Sequence, residues 1–229
     1  NLANQTYAIF VRSPHARAKI KKLDISKALK SSGVVNILTG SEIAEDKIGG
    51  LIAGWAIRSE DGTEMKCPAN PPLAKDNVNF VGDPIAVIFA ESLEEARAAS
   101  ELVKIDYKVL KAITNLSETM NSETIHEGID KNLCYDWLLG DRQKVKEAFE
   151  KADKIIKLDI TNNRLVPNAM EPRACVIDYN TASEEITCYT TSQNPHLSRL
   201  IMSAFGGVAP EHKLRVVAPD VGGGFGSKI

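Results

Sequence analysis

Asp83-Pro84-Ile85-Ala86-Val87-Ile88-Phe89-Ala90-Glu91-Ser92-Leu93-Glu94-Glu95 is the stretch whose pattern sets the fold class. The apolar run over residues 85–90 follows a turn-forming Asp-Pro pair and predicts a buried strand. Ser92 with Glu95 three residues on makes a capping box. The Ser92 hydroxyl accepts from the amide three residues along, and Glu95 reaches back to the start of the helix. Leu93, Ala96, Ala99 and Val103 then share one apolar helical face. Residues 103–109 follow as a strand. The result is a strand–helix–strand unit inside a mixed α/β domain of about 110 residues.

Upstream, residues 6–11 alternate poorly but are rich in strand formers, which predicts a mostly buried strand. Residues 18–25 alternate cleanly, with Ile20, Leu23 and Ile25 set between lysines, and predict a half-exposed strand. A short helix over 26–32 closes at Gly33, and 34–38 is a further strand. Gly49-Gly50 and residues 59–72 read as loop. Arg12, His15, Arg17, Lys19, Lys21 and Lys22 form a basic run that reads as a solvated strand face.

Downstream, residues 111–136 lose periodicity and read as an inter-domain connection. Gly140-Asp141 caps a helix whose inner face is Val145, Ala148, Phe149 and Ala152. Strands are expected over 154–161 and 174–179, the second turning through 180–185 into a hairpin with 186–191. Pro195 starts a helix with Leu197, Leu200, Ile201, Ala204 and Phe205 on its buried side, ended by Gly206-Gly207. A strand over 214–217 runs through Pro219-Asp220 into Gly222-Gly223-Gly224-Phe225-Gly226.

Composition sets outer bounds. The 229 residues are 43% hydrophobic and 25% charged, ordinary for a folded globular protein. A net charge of -2 gives no electrostatic case for nucleic acid. No apolar stretch approaches the roughly 20 residues a membrane helix needs, and no signal-peptide pattern opens the chain. Cys67, Cys134, Cys175 and Cys188 form no metal-ligand spacing and read as reduced, buried thiols of a cytoplasmic protein. The chain opens directly into strand-like residues without methionine and stops just after the glycine run, so it reads as a fragment.

The glycine run is the strongest chemical signal. Glycines reach positive φ and bring amides close to a ligand. A dinucleotide fingerprint fails, because the third glycine position falls on Ser227 or Ile229. A phosphate-binding loop fails as well, because Ser227 separates Gly226 from Lys228 and Ile229 follows. Locally, a tight structural turn and a ligand loop both stay open, although Phe225 needs something for its ring to pack on. Gln193, at a strand end before Pro195, is either ligand-facing or part of a helix cap. Arg164 and Met170-Glu171-Pro172-Arg173 suggest an arginine–carboxylate pair with a structural role. The histidines at 15, 126, 196 and 212 are isolated, and Asp83 and Asp220 sit where aspartates cap turns.

Five ordered segments carry a resemblance. They are Arg12-Ser13-Pro14-His15-Ala16-Arg17-Ala18-Lys19-Ile20, Val81-Gly82-Asp83-Pro84-Ile85-Ala86-Val87, Met170-Glu171-Pro172-Arg173, Ser192-Gln193-Asn194-Pro195-His196, and the run from Ala218 through Lys228. Together they resemble the xanthine dehydrogenase / aldehyde oxidase / carbon monoxide dehydrogenase family, over essentially the whole chain and in the family's order. The resemblance implies an α+β protein: a hammerhead α/β domain over 1–112, a linker over 113–136, and over 137–229 the truncated start of a mixed α+β molybdopterin-binding domain.

It also implies a molybdenum hydroxylase large subunit. In that family a molybdenum-bound hydroxide attacks substrate, and electrons leave through 2Fe-2S clusters to FAD on partner subunits or domains. Gln193, Gly223, Gly224, Phe225 and Gly226 match residues lining the molybdopterin site, expected here in its cytosine dinucleotide form. No residue of the chain is a direct metal ligand or catalytic group, since the family's general-base glutamate lies downstream. A dimer of heterotrimers is implied, and the fragment alone is expected to be inactive. Ile229 stands where purine-oxidising members carry a substrate-contacting glutamate, which points to an aldehyde, N-heteroaromatic or carbon monoxide-type substrate. The rival expectations are a non-catalytic binding or assembly module of the same fold, and a nucleotide-binding enzyme.

Overall fold

A computed structural model describes residues 2–229. The first half forms β1 (Tyr7–Arg12), β2 (Ala18–Asp24), α1 (Ser26–Leu29), β3 (Val34–Thr39), α2 (Gly40–Glu45), β4 (Asn77–Val78), β5 (Pro84–Ala90), α3 (Leu93–Ser100) and β6 (Lys104–Val109). β5 is the middle of an antiparallel sheet of order β1-β5-β3, and β2 is the middle of a second, β4-β2-β6. The unbroken apolar run of β5 follows from its place between two cores. Ala86 and Ile88 pack with Ala28, Ile37 and Ala99 on the helical side. Ile85 joins Ala18, Ala74 and Val78 on the side of the second sheet. A strand buried on both faces has no position for a polar residue. Ile85 and Ile88 are fully buried, each contributing about 1.5–3 kcal/mol of transfer free energy.

Several expectations change. β5 and β6 flank α3 but belong to different sheets, so the strand–helix–strand unit links two layers rather than building one sheet. β1 is an edge strand and not mostly buried, with Tyr7 37% and Phe10 47% exposed. α2 was not foreseen. It carries the complete capping box, in which Glu42 accepts from the Thr39 amide at 3.0 Å. At α3 the box is half formed: Ser92 Oγ accepts from the Glu95 amide at 3.2 Å, but the Glu95 carboxylate takes the Ser92 hydroxyl at 2.8 Å instead of the backbone.

The basic run is not uniformly solvated. Arg17 is 8% exposed and donates to the carbonyls of Lys111 and Thr124, both at 3.1 Å, and to Glu123 at 3.2 Å. It thereby fastens the connecting segment to β2. That segment also holds 3-10 turns at Leu116–Asn121 and Asp130–Asn132.

The second half forms α4 (Arg142–Glu150), β7 (Cys175–Asn180), β8 (Glu185–Thr190), α5 (Pro195–Leu200) and β9 (Leu214–Val217). Asp141 caps α4 by accepting from the Lys144 amide at 3.0 Å. The expected inner face has no cover, however, with Val145 and Phe149 54% and 56% exposed. Residues 154–161 form no strand. Their alternation puts Ile156, Leu158 and Ile160 out at 78–81% exposure, and a strand needs a neighbour's N–H and C=O groups. β7 and β8 make the expected hairpin, and β8 pairs in parallel with β9 after the α5 crossover. α5 runs on as a π-turn over Ile201–Phe205 that ends at Gly206. Its apolar side is half open, with Leu200 43% and Phe205 44% exposed.

Of the cysteines, only Cys188 is buried; Cys67, Cys134 and Cys175 are exposed. Burial, and to a lesser degree the neighbouring Cys175, raises the Cys188 thiol pKa. No helix among the described residues is long and apolar enough to cross a membrane.

Candidate cofactor site

β8 and β9 run parallel, so the segments after them leave the same edge of the sheet. Ligand crevices form outside the carboxyl ends of parallel strands. Residues 192–193 follow β8 and residues 218–228 follow β9, which brings Gln193 to the glycine loop. The Gln193 amide donates to the Lys228 carbonyl at 2.7 Å. Its side-chain Oε1 accepts from the amides of Gly226 at 3.0 Å and Lys228 at 3.2 Å. Because the carboxamide lies over Gly224, a Cβ there would come within 2.2 Å of Gln193 Cδ. Gly222 is hemmed in likewise, 2.6 Å from Glu171 Cβ.

Left-handed backbone recurs along the loop. Gly223 and Gly226 have φ of 97° and 83°, and Phe225, with φ of 52°, is a bulky residue in the left-handed region. Such a conformation costs about 1–3 kcal/mol and gathers at ligand sites. The Phe225 ring stands over Gly223, where a Cβ would be 2.8 Å from Cε2, yet the residue is 74% exposed. The packing partner that the ring calls for is not supplied by the described residues.

The amides divide into two sets. Gly222 donates to Glu171, Gly226 and Lys228 to Gln193, and Ser227 to the Gly224 carbonyl. Those of Gly223, Gly224 and Phe225 meet no acceptor among the described residues. Three successive free amides in a loop with recurring left-handed backbone form an anion- or oxygen-binding concavity. Together with Gly226 and Gln193, these are the residues the sequence pointed to, and they stand in one place.

The expected arginine–carboxylate pair is replaced by a different network. Glu171 Oε2 accepts from Lys228 Nζ at 2.8 Å and from the Gly222 amide at 2.8 Å. The Lys228 hydrogen bond first, and the Gly222 amide second, hold the Glu171 carboxyl below the usual carboxylate range. Arg173 donates instead to the Ser227 carbonyl, through Nε at 3.0 Å and Nη2 at 2.6 Å. Arg164 is exposed and takes no part. In the sequence Lys228 stands as a misplaced phosphate-loop lysine and as the last residue of the family-like run, with no partner indicated. The missed signal was a lysine beside a glycine run with a carboxylate at 171, both needing partners.

No histidine side chain hydrogen-bonds the loop among the described residues, and His15 stands edge-on to Tyr107 at 4.8 Å. Asp83 caps its turn, accepting from the Asn79 amide at 2.9 Å, with its pKa raised by burial. A wide cleft of about 1080 Å³ lies along β8, β9 and α5, lined among others by His196, Arg199 and Arg215, and reaches neither Gln193 nor the loop. Among the described residues no group of three or more His, Cys, Asp or Glu gathers as a metal cluster.

Comparison with known proteins defines the class. The family model for the aldehyde oxidase and xanthine dehydrogenase a/b hammerhead domain matches residues 1–111, and that for the molybdopterin cofactor-binding domain matches 125–229. The chain therefore belongs to the xanthine dehydrogenase / aldehyde oxidase / carbon monoxide dehydrogenase family, and corresponds to part of its large, molybdopterin-binding subunit. It is 31% identical to the carbon monoxide dehydrogenase large chain of Afipia carboxidovorans, over all of this chain and 28% of that one. It is 30% identical to the nicotine 6-hydroxylase large subunit of Paenarthrobacter nicotinovorans, over all of this chain and 27% of that one. The crystal structure of quinoline 2-oxidoreductase from Pseudomonas putida 86 superposes with a TM-score of 0.85 at 26% identity, covering all of this chain and 28% of that one. The chain thus spans under a third of the length of these relatives.

Proposed function

We propose that the loop over residues 222–226 and Gln193 bind the molybdenum end of molybdopterin in a hydroxylase large subunit. The supporting observation is the set of free amides at Gly223, Gly224 and Phe225, at a parallel-strand edge beside Gln193. The residues fit such a group, since the glycines leave room where a Cβ would collide and the amides offer donors to oxygen ligands. When bound, the cofactor supplies the oxygen nucleophile and accepts the substrate's electrons. The chain's own part is to orient and to exclude water. Gln193 spends its carbonyl oxygen on two loop amides, which leaves its Nε2 hydrogens for the ligand. The exposed Phe225 ring is an apolar cover for the cofactor face.

Ile229 follows Lys228 and is 69% exposed, so it offers a hydrocarbon surface where purine oxidation calls for a carboxylate. This supports an aldehyde, N-heteroaromatic or carbon monoxide-type substrate, and the three relatives above are named for carbon monoxide, nicotine and quinoline. The reading includes the cytosine dinucleotide form of the cofactor, iron–sulfur and FAD subunits in a dimer of heterotrimers, and a cytoplasmic location. It also takes the division of the chain into 1–112, 113–136 and 137–229, with the general base outside these residues. The test is to express the intact polypeptide in a host that makes molybdopterin, then measure bound molybdenum and turnover with an artificial electron acceptor. Oxidation of an aldehyde, an N-heteroaromatic or carbon monoxide, but not of a purine, is expected. Absence of molybdenum would instead make the chain part of a non-catalytic module of the same fold.

A further inference from the structure

We infer that Glu171 and Lys228, helped by Arg173, are positioning residues that latch the glycine loop and so set the direction of its free amides. The inference rests on the cofactor-site reading but concerns side-chain groups that bond only to the loop backbone and to each other. The Lys228 side chain is 2% exposed although it belongs to a loop that is largely open, and its partner Glu171 is 33% exposed. An ammonium so removed from water needs a compensating carboxylate, and Glu171 supplies it at 2.8 Å. The same Oε2 atom also holds the Gly222 amide at 2.8 Å, so one carboxylate ties down both ends of the glycine run.

Arg173 adds a third tie, two donors on the Ser227 carbonyl between those ends. Gly222 and residues 227–228 are thereby fixed, and the strained arc between them carries the free amides and the left-handed Phe225. A glycine-rich arc has many alternative conformations, so its donors point one way only if its ends are held. Glu171 and Arg173 lie two residues apart on the segment entering β7, whereas the loop follows β9. The latch therefore joins the two outer strands of the sheet β7-β8-β9 at one end.

The test uses trypsin on the intact polypeptide purified without cofactor. Trypsin must draw the lysine side chain into its own pocket, so a latched Lys228 protects the bond to Ile229. Glu171→Gln keeps an acceptor for the Gly222 amide but removes the charge that holds Lys228. Cleavage after Lys228 should then rise about tenfold or more, with other lysine sites and the melting temperature unchanged. Lys228→Arg keeps the ion pair and should stay protected. In cofactor-loaded protein, Glu171→Gln should also lower molybdopterin affinity roughly 10-fold or more, as loss of a supporting shell does.

Equal cleavage after residue 228 in wild type and Glu171→Gln would overturn the latch, as would faster cleavage at every site. Loss of cofactor affinity in Glu171→Gln without local loosening would overturn it too. A wild type that shows the cleavage pattern yet binds no molybdenum would overturn the cofactor reading and leave the latch standing.

Discussion

Gly224→Ala perturbs the loop through one collision. The new Cβ would meet Gln193 at 2.2 Å from Cδ, 2.3 Å from Oε1 and 2.4 Å from Cγ. Gly224 does not have a left-handed φ, so alanine adds no backbone strain, and the cost falls on the Gln193 side chain. That side chain must swing away, giving up its bonds to the amides of Gly226 and Lys228. Each such bond contributes about 0.5–1.5 kcal/mol, and the Gly226 amide is open enough to take water in exchange, so the net loss is about 1–2 kcal/mol. In native-state hydrogen exchange this corresponds to roughly 5–30-fold faster exchange at Gly226 and Lys228.

Gln193→Ala removes the same two acceptors and should accelerate the same two amides by the same factor. The double variant is the critical case. Once residue 193 is alanine, the methyl at 224 has nothing to displace, so the double should match Gln193→Ala alone. Factors that multiply in the double variant would refute the claim that Gly224 is glycine because of Gln193. So would acceleration confined to one single variant.

Other outcomes follow from the same geometry. The folded pKa of Glu171 is depressed, so the latch is complete above the usual glutamate value of about 4.3 and is lost as pH falls through the lower folded value. Exchange across residues 222–228, corrected for intrinsic rates, should rise on acidification from about pH 6 to pH 3, and Glu171→Gln should flatten that dependence. Arg17→Met removes two carbonyl contacts and an ion pair whose carboxylate is 75% exposed. The exposed pair contributes little and the carbonyl bonds roughly 3 kcal/mol together, so limited proteolysis should nick residues 111–124 first. Ile88, fully buried between β1 and β3, should lose about 2–5 kcal/mol of stability as alanine and about 0.5–1.5 as valine in denaturant unfolding.

What was legible in the sequence followed from local rules. β5 announced itself because a strand covered on both faces is apolar at every position, and Asp141 and Pro195 marked helix starts by their own chemistry, whereas α1 ends at Leu29 and Gly33 belongs to the turn before β3. What failed depended on partners distant in the chain. Residues 154–161 have a strand's alternation, but the described residues offer no neighbour to pair with. The α4 stripe of Val145 and Phe149 is amphipathic and uncovered for the same reason. Arg17 looked like one more surface cation until its carbonyl partners, some hundred residues on, closed around it. At the candidate site, the motif drew Gln193 and the glycines together. The Glu171–Lys228 tie was not legible in it, since 57 residues separate its members and the local pattern favoured an arginine partner.

In the proposed function the amides of Gly223, Gly224 and Phe225 are ligand donors. Residue-resolved hydrogen exchange of the intact polypeptide, with and without bound molybdopterin, tests it most directly. The amides of Gly226 and Lys228 already have an internal acceptor and should change little between the two states. Those of Gly223, Gly224 and Phe225 should exchange freely in the cofactor-free protein and become protected when it is loaded. Equal exchange of these three amides in both states would contradict the account.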